Sequence, residues 1–142
     1  MTSDTPSRIV CDTNTLVSAF LFPQSIPGQA FEAVLSRHRL LMSIELAMEL
    51  AAVMRREKFD RFLSLRRREE LVASTMRDSE FIAASTVITE CRDSMDNRVL
   101  ELAVDGGAAA IVTGDADLLV LHPFHQIAIV TPRDFLLRFA SE

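Results

Sequence analysis

The chain has no tryptophan, no tyrosine and a single lysine, Lys58, among its 142 residues. Chemistry that needs a tyrosine acid or a second lysine is therefore excluded. Cysteine is equally scarce. Cys11 and Cys91 are too few for a disulfide scaffold and share no C-x-x-C spacing, so a reducing, cytoplasmic setting is expected. Long apolar runs are missing too. Stretches such as Leu119-Val120-Leu121 and Ile127 to Val130 fall far short of the ~20 residues a bilayer span needs. The opening Met1-Thr2-Ser3-Asp4 carries neither a basic nor an apolar region, and no signal peptide is expected. No G-x-x-x-x-G-K-S/T or G-x-G-x-x-G motif occurs, so nucleotide cofactors have no phosphate cradle to bind.

What is present reads as one globular domain. Apolar residues make up 49% and charged residues 25%, a composition that excludes a disordered chain. A chain of this length buries roughly two thirds of its unfolded surface and needs no disulfide or structural metal to fold. The expected domain covers residues 8–140, after a polar leader at 1–7. Net charge is −5, which argues against a strongly basic nucleic-acid binder. The total conceals a local excess. Arg55, Arg56, Lys58, Arg61, Arg66, Arg67 and Arg68 are 7 of the 15 basic residues and fall within 14 positions.

Hydrophobic patterning predicts alternating strands and helices. Strands are expected at Arg8 to Cys11, Leu40 to Met42, Phe81 to Thr89, Ala110 to Val112 and Ile127 to Val130. Apolar residues run from Leu16 to Phe22, and the Pro23 and Pro27-Gly28 signals mark a break. A helix follows from about Gln29 to Arg37, with Phe31, Val34 and Leu35 on one face. Ser43 is a candidate N-cap for a helix that aligns Leu46, Leu50 and Val53. Further helices are expected at Arg66 to Arg77 and Asp96 to Val104, the latter stopped by Gly106-Gly107. A short helix at Ala116 to Leu121 and a last one opened by Thr131-Pro132 complete the set. This alternation predicts a parallel sheet covered on both faces.

In such a sheet, ligands bind beyond the carboxyl ends of the strands. Two strands end there in an aspartate, Asp12 and Asp115. Asp117 follows two residues on, Asp96 opens a helix, and Glu45 and Glu49 share a helix face. Each acid alone has a plain explanation: Asp12 as a turn cap, Asp96 and Asp117 as helix N-caps, Asp115 in a tight turn, the glutamates in solvent. Several carboxylates on one edge repel one another unless a cation sits among them. Oxygen-only ligands suit Mg²⁺ or Mn²⁺, ions that can polarise a phosphodiester and activate water. His38, His122 and His125 lie outside the acidic motifs, and both cysteines read as small apolar residues rather than nucleophiles.

The same residues resemble a known family. Val10-Cys11-Asp12-Thr13-Asn14, Cys91 to Ala103 and Ile111 to Leu119 are similar to motifs of PIN-domain ribonucleases. So is the helix Ser43 to Phe59, in which Glu49-Leu50 precedes Arg55-Arg56-Glu57-Lys58-Phe59. The resemblance covers about residues 8–135, and within the family it points to the VapC-like toxins of bacterial toxin–antitoxin pairs. It implies a three-layer α/β/α sandwich with a mainly parallel central sheet. It also implies an endoribonuclease that depends on one or two Mg²⁺ or Mn²⁺ ions. The four acids of the family fall on Asp12, Glu49, Asp96 and Asp115, with Asp117 as a frequent fifth and Asp93 as an accessory. Asn14 and Thr113 fall on polar positions that orient the carboxylates. Ser94 stands where the family often has proline. The resemblance further implies a homodimer and a cognate antitoxin.

Two expectations compete for the basic segment. Arg55, Arg56, Arg61 and Arg66 to Arg68 either contact RNA phosphates or form a solvated face paired with Glu57, Asp60, Glu69 and Glu70. A receiver domain and a haloacid-dehalogenase-type phosphatase are disfavoured, since both need a late lysine. The alternative to catalysis is a silent PIN-like scaffold that binds a partner protein.

Overall fold

The structure, a computed structural model, describes residues 6–139. Five strands form one sheet: β1 (Arg8–Cys11), β2 (Arg39–Met42), β3 (Glu80–Phe81), β4 (Ala110–Val112) and β5 (Ala128–Val130), in the order β3-β2-β1-β4-β5. All four pairings are parallel. The central strands are short apolar runs because helices cover both faces and leave no polar side. Ile9, Val10, Leu40, Leu41, Met42, Ala110, Ile111 and Val112 are all buried.

Among the described residues, seven α-helices complete the three layers: α1 (Thr13–Leu21), α2 (Ile26–Arg37), α3 (Ile44–Met54), α4 (Leu65–Asp78), α5 (Ser94–Gly106), α6 (Ala116–Leu119) and α7 (Pro132–Phe139). α2 packs against α1, α7 and β2, whereas α5 lies across β1, β2 and β4. Strand order runs outward from β1 to β3 and then restarts at β4. The switch point is therefore between β1 and β4, the two strands that lead into Asp12 and Asp115.

Several local expectations are corrected. Pro27-Gly28 does not break the chain but sits in the first turn of α2, which Ser25 caps through Gly28 N–H at 3.2 Å. Proline fits there because its missing N–H would have had no helical partner. Gly28 fits because a Cβ would lie 2.2 Å from the Pro23 carbonyl oxygen. The buried stripe of α2 is Ala30, Ala33 and Val34, and Leu35 faces solvent. On α3 the third buried apolar residue is Met54, with Val53 half-buried. Gly106 ends α5, and only Gly107, at φ 63°, adopts the left-handed cap. α6 stops at Leu119.

The largest correction concerns Phe81 to Thr89. Only Glu80–Phe81 pairs as a strand. Beyond Ile82, amides of the segment turn to side chains of α5. Ser85 and Thr86 donate to Asp105 at 2.8 and 3.1 Å, Ile88 to Glu101 at 2.8 Å, and Cys91 to Asn97 at 2.8 Å. These acceptors, four residues apart on one helix face, satisfy donors that a sheet would otherwise claim. The Thr86 hydroxyl and the two amides hold the Asp105 carboxyl below its ordinary range, against an opposing effect of burial.

Where β1 and β2 begin side by side, Ser7 donates to His38 Nδ1 at 3.0 Å and accepts from Arg39 N–H at 2.9 Å. Residues 1–5 of the expected leader, and residue 140, lie outside the described residues. No helix among the described residues is long and apolar enough to cross a membrane.

Candidate active site

Asp12 leaves β1 with its backbone still bonded to the sheet, its N–H donating to the Val112 carbonyl at 3.2 Å. Its side chain caps α1, accepting from Thr15 N–H at 2.9 Å. Across the switch point, Thr113 N–H donates to the Val130 carbonyl at 2.9 Å. The Thr113 hydroxyl donates to the free oxygen of Asp12 and accepts from Asp115 N–H at 2.9 Å. One buried hydroxyl thus ties the ends of β1 and β4 together.

Glu49 reaches the same place from α3, where the Thr13 hydroxyl donates to its Oε1. Asp96 comes from the first turn of α5, nearly buried at 8% exposure. Asp12, Glu49, Asp93, Asp96 and Asp115 all line one cleft of about 140 Å³, together with Thr13, Asn14 and Arg56. Asp117 does not line that cleft, but one oxygen from each of Asp96, Asp115 and Asp117 lies within 4.8 Å of the others. Arg92 approaches Asp117 from solvent at 3.5 Å.

Capping falls to other aspartates than expected. Asp93, not Asp96, caps α5 by accepting from Met95 N–H at 2.9 Å, and Asp115, not Asp117, caps α6 through Asp117 N–H at 2.9 Å. Asp96 is left free to face the cleft. The amino ends of α1 and α5 both point there, and their dipoles offset part of the repulsion among the carboxylates. The remainder is visible in Asp96. Burial, followed by the charge of Asp115 and of Asp93, pushes its carboxyl up to about 7.

Asn14 is exposed at the rim and makes no hydrogen bond to a carboxylate among the described residues. The side-chain hydroxyls that donate to these carboxylates are those of Thr113, which the sequence reading named, and of Thr13, which it passed over. Thr13 stood inside the quoted Asp12-Thr13-Asn14 motif, but its partner lies 36 residues away. The cysteines stay protonated. Burial and Asp12 push the Cys11 thiol up, and burial with Asp96, Asp117 and Asp115 raises Cys91. None of the three histidines lines the cleft.

Arg68 does not belong to an exposed RNA-binding face. It is fully buried, and its guanidinium donates to the carbonyls of Leu63 at 3.1 Å, Met54 at 2.8 Å and Arg56 at 3.0 Å, and to the Asp60 carboxylate. Arg55 pairs with Glu69 at 2.6 Å, and Arg66 and Arg67 meet Glu70 at 3.4 and 3.5 Å.

Comparison with known proteins decides the family. A family profile described as PIN domain matches residues 8–117. The chain belongs to the PIN domain family. Members of this family are generally nucleases. This PIN domain is 25% identical over 142 residues to uncharacterized protein MJ1680 of Methanocaldococcus jannaschii, covering 93% of this chain and 91% of that protein. In fold it resembles VapBC2 from Rickettsia felis bound to a DNA fragment from their promoter, at a TM-score of 0.60. Identity there is 13%, over 86% of this chain and 96% of that one. It also resembles PAE2754 from Pyrobaculum aerophilum, at a TM-score of 0.67 and 14% identity, over 96% of this chain and 91% of that one.

The residues of the cleft fit a hard divalent cation. Every facing carboxylate offers oxygen, the carboxylates outnumber the one cation, Arg56, and burial together with the charges of Asp115 and Asp93 raises the Asp96 carboxyl to about 7.

Proposed function

We propose that this PIN domain is a Mg²⁺- or Mn²⁺-dependent endoribonuclease that hydrolyses RNA phosphodiester bonds as the toxin of a toxin–antitoxin pair. The observation that carries the reading is the convergence of Asp12, Glu49, Asp96 and Asp115, from four separate elements, on one small cleft at the sheet's switch point. These four would hold one or two ions, with Asp117 at the margin. A bound divalent ion would supply charge neutralisation and polarisation of the phosphodiester. Thr113 fixes the orientation of Asp12, and Thr13 that of Glu49, so both carboxylates are set before substrate arrives. Asp93 secures the turn that presents Asp96. The likeness to VapBC2 of Rickettsia felis supports a cognate antitoxin as partner. We further propose a homodimer acting in the cytoplasm.

The test is cleavage of RNA by a nuclease-free preparation with Mn²⁺. Asp12→Asn should abolish cleavage with an unchanged circular dichroism spectrum. It should also remove the rise in melting temperature that Mn²⁺ gives the wild type. Cleavage retained by that variant would overturn the assignment.

A further inference from the structure

Three cations of the basic segment stand apart from its ion pairs. Among the described residues, Arg56, Lys58 and Arg61 meet no carboxylate within salt-bridge distance, whereas Arg55, Arg66, Arg67 and Arg68 all do. The three lie on a single turn of 3₁₀ helix, Glu57–Phe59, and its flanks. Two of them rest on aromatic rings. Lys58 Nζ is 5.2 Å from the Phe59 centroid, and the Arg61 guanidinium is 4.9 Å from that of Phe62. Phe62 is 41% exposed and meets Phe22, 47% exposed, edge to face at 5.2 Å. Residues 57–62 line a solvent-open depression of about 540 Å³.

The turn is anchored from beneath. The buried Arg68 gathers the carbonyls of Met54, Arg56 and Leu63 and neutralises Asp60. Glu57 is then the one acid left on the turn against three cations. The turn also adjoins the acidic cleft, because Arg56 both lines that cleft and occupies the position just before the 3₁₀ turn.

We propose that this turn holds single-stranded RNA as it leaves the acidic cleft, with phosphates on Arg56, Lys58 and Arg61 and a base stacked on Phe62. The inference rests on the ribonuclease reading of the cleft and names the surface that gives the acidic site its grip on a polyanion. Cations beside exposed aromatic rings are the chemistry that unpaired nucleotides require. A duplex keeps its bases stacked inward and leaves such rings without a partner. On α4, by contrast, Arg66 and Arg67 share the carboxylate of Glu70.

The experiment is fluorescence anisotropy with a labelled oligouridylate of about 12 nucleotides. The full chain carries Asp12→Asn, so that cleavage does not enter the readout. Lys58→Ser with Arg61→Ser should weaken binding at least tenfold. It should also lower the log–log salt slope by about 1.4, which is about 0.7 per single-strand phosphate contact. Phe62→Ser should weaken binding about tenfold with the slope unchanged. Arg66→Ser with Arg67→Ser removes the same charge from the paired face and should change affinity by less than about twofold. Wild-type affinity and slope in the first two variants, equal losses in the α4 variant, or no RNA binding by the parent protein overturns the proposal. So does a loss of binding to polyglutamate with RNA binding intact, which would assign the turn to an acidic protein. Cleavage of a long single-stranded RNA by the wild type with Mn²⁺ is scored separately from binding. Failure there refutes the ribonuclease reading and leaves the anisotropy to decide the turn.

Discussion

Replacing Asp96 by asparagine should make the metal-free protein more stable, and most so at alkaline pH. In the unfolded chain this carboxyl loses its proton near 3.8, and in the fold it keeps it up to about 7. Between those values the native state binds more protons than the unfolded one. Stability therefore falls as pH rises through that interval and levels off above about 7. At about 1.4 kcal/mol per pH unit, the loss by pH 8 is about 4 kcal/mol at most. Water at the open mouth of the cleft screens the charges and brings the figure nearer about 2 kcal/mol. Asparagine never ionises, so the variant escapes this loss. The assay is urea unfolding of wild type and Asp96→Asn with a chelator present, at pH 5 and pH 8. At pH 5 the wild type has incurred somewhat over a third of this loss, so the variant's lead should be correspondingly smaller there. At pH 8 the variant should lead by about 2 kcal/mol, or about 6 °C in Tm for a chain of this length. Adding Mn²⁺ should reverse the order, because a ligand at 100 times its Kd contributes about 2.7 kcal/mol to a native state that binds it. A difference between the proteins that is the same at pH 5 and pH 8 would refute the charge-repulsion account of the cleft.

Other substitutions probe other parts of the molecule. Thr113→Val removes the hydroxyl between Asp12 and Asp115 at nearly constant volume. It should weaken Mn²⁺ binding about 10- to 100-fold, read by calorimetry, and cost about 1–3 kcal/mol of stability, because the Asp115 N–H loses its acceptor. Arg68→Met strands three backbone carbonyls that the guanidinium now satisfies. The expected loss is about 3 kcal/mol, seen as a lower urea midpoint, and a neutral outcome would mean that those carbonyls find water. His125 and Gln126 occupy a tight turn at φ 49° and 68°, closed by Phe124 and Ile127 pairing at 3.0 and 2.7 Å. Asn at 125 with Gly at 126 suits that left-handed backbone, and the double variant should gain about 1 kcal/mol in thermal unfolding.

The architecture was legible because its determinants are local. Three apolar triplets ending in polar turns mark the central strands, and an aspartate at the end of a strand carries its own address in a parallel sheet. Ser43 and Thr131 announce the helices they cap, accepting from Leu46 and Asp134 N–H. What escaped depends on partners far along the chain. The β-branched residues of 82–89 favour a strand in isolation, but α5 offers their amides acceptors 13 to 20 residues later. Arg68 looks like its neighbours in sequence, and only the carbonyls converging from positions 54, 56 and 63 draw it inward. The family resemblance singled out Asp12, Glu49, Asp96 and Asp115, which line one cleft, yet not which aspartates would cap and which would stay free. That division depends on whether the side chain turns back toward its own helix or out into the cleft.

The row of Asn97, Glu101 and Asp105 along α5 sets an unequal tolerance to mutation across the molecule. These side chains grip mainly main-chain amides, and every residue except proline supplies an amide. The held segment can therefore drift in sequence at Ser85 and Thr86, provided that proline stays out and Ile88 remains apolar. The helix has no such latitude, since losing one acceptor strands one or two amides at once. A saturation scan scored by abundance should show a permissive strip lying against an intolerant one, although neither contains a residue of the cleft.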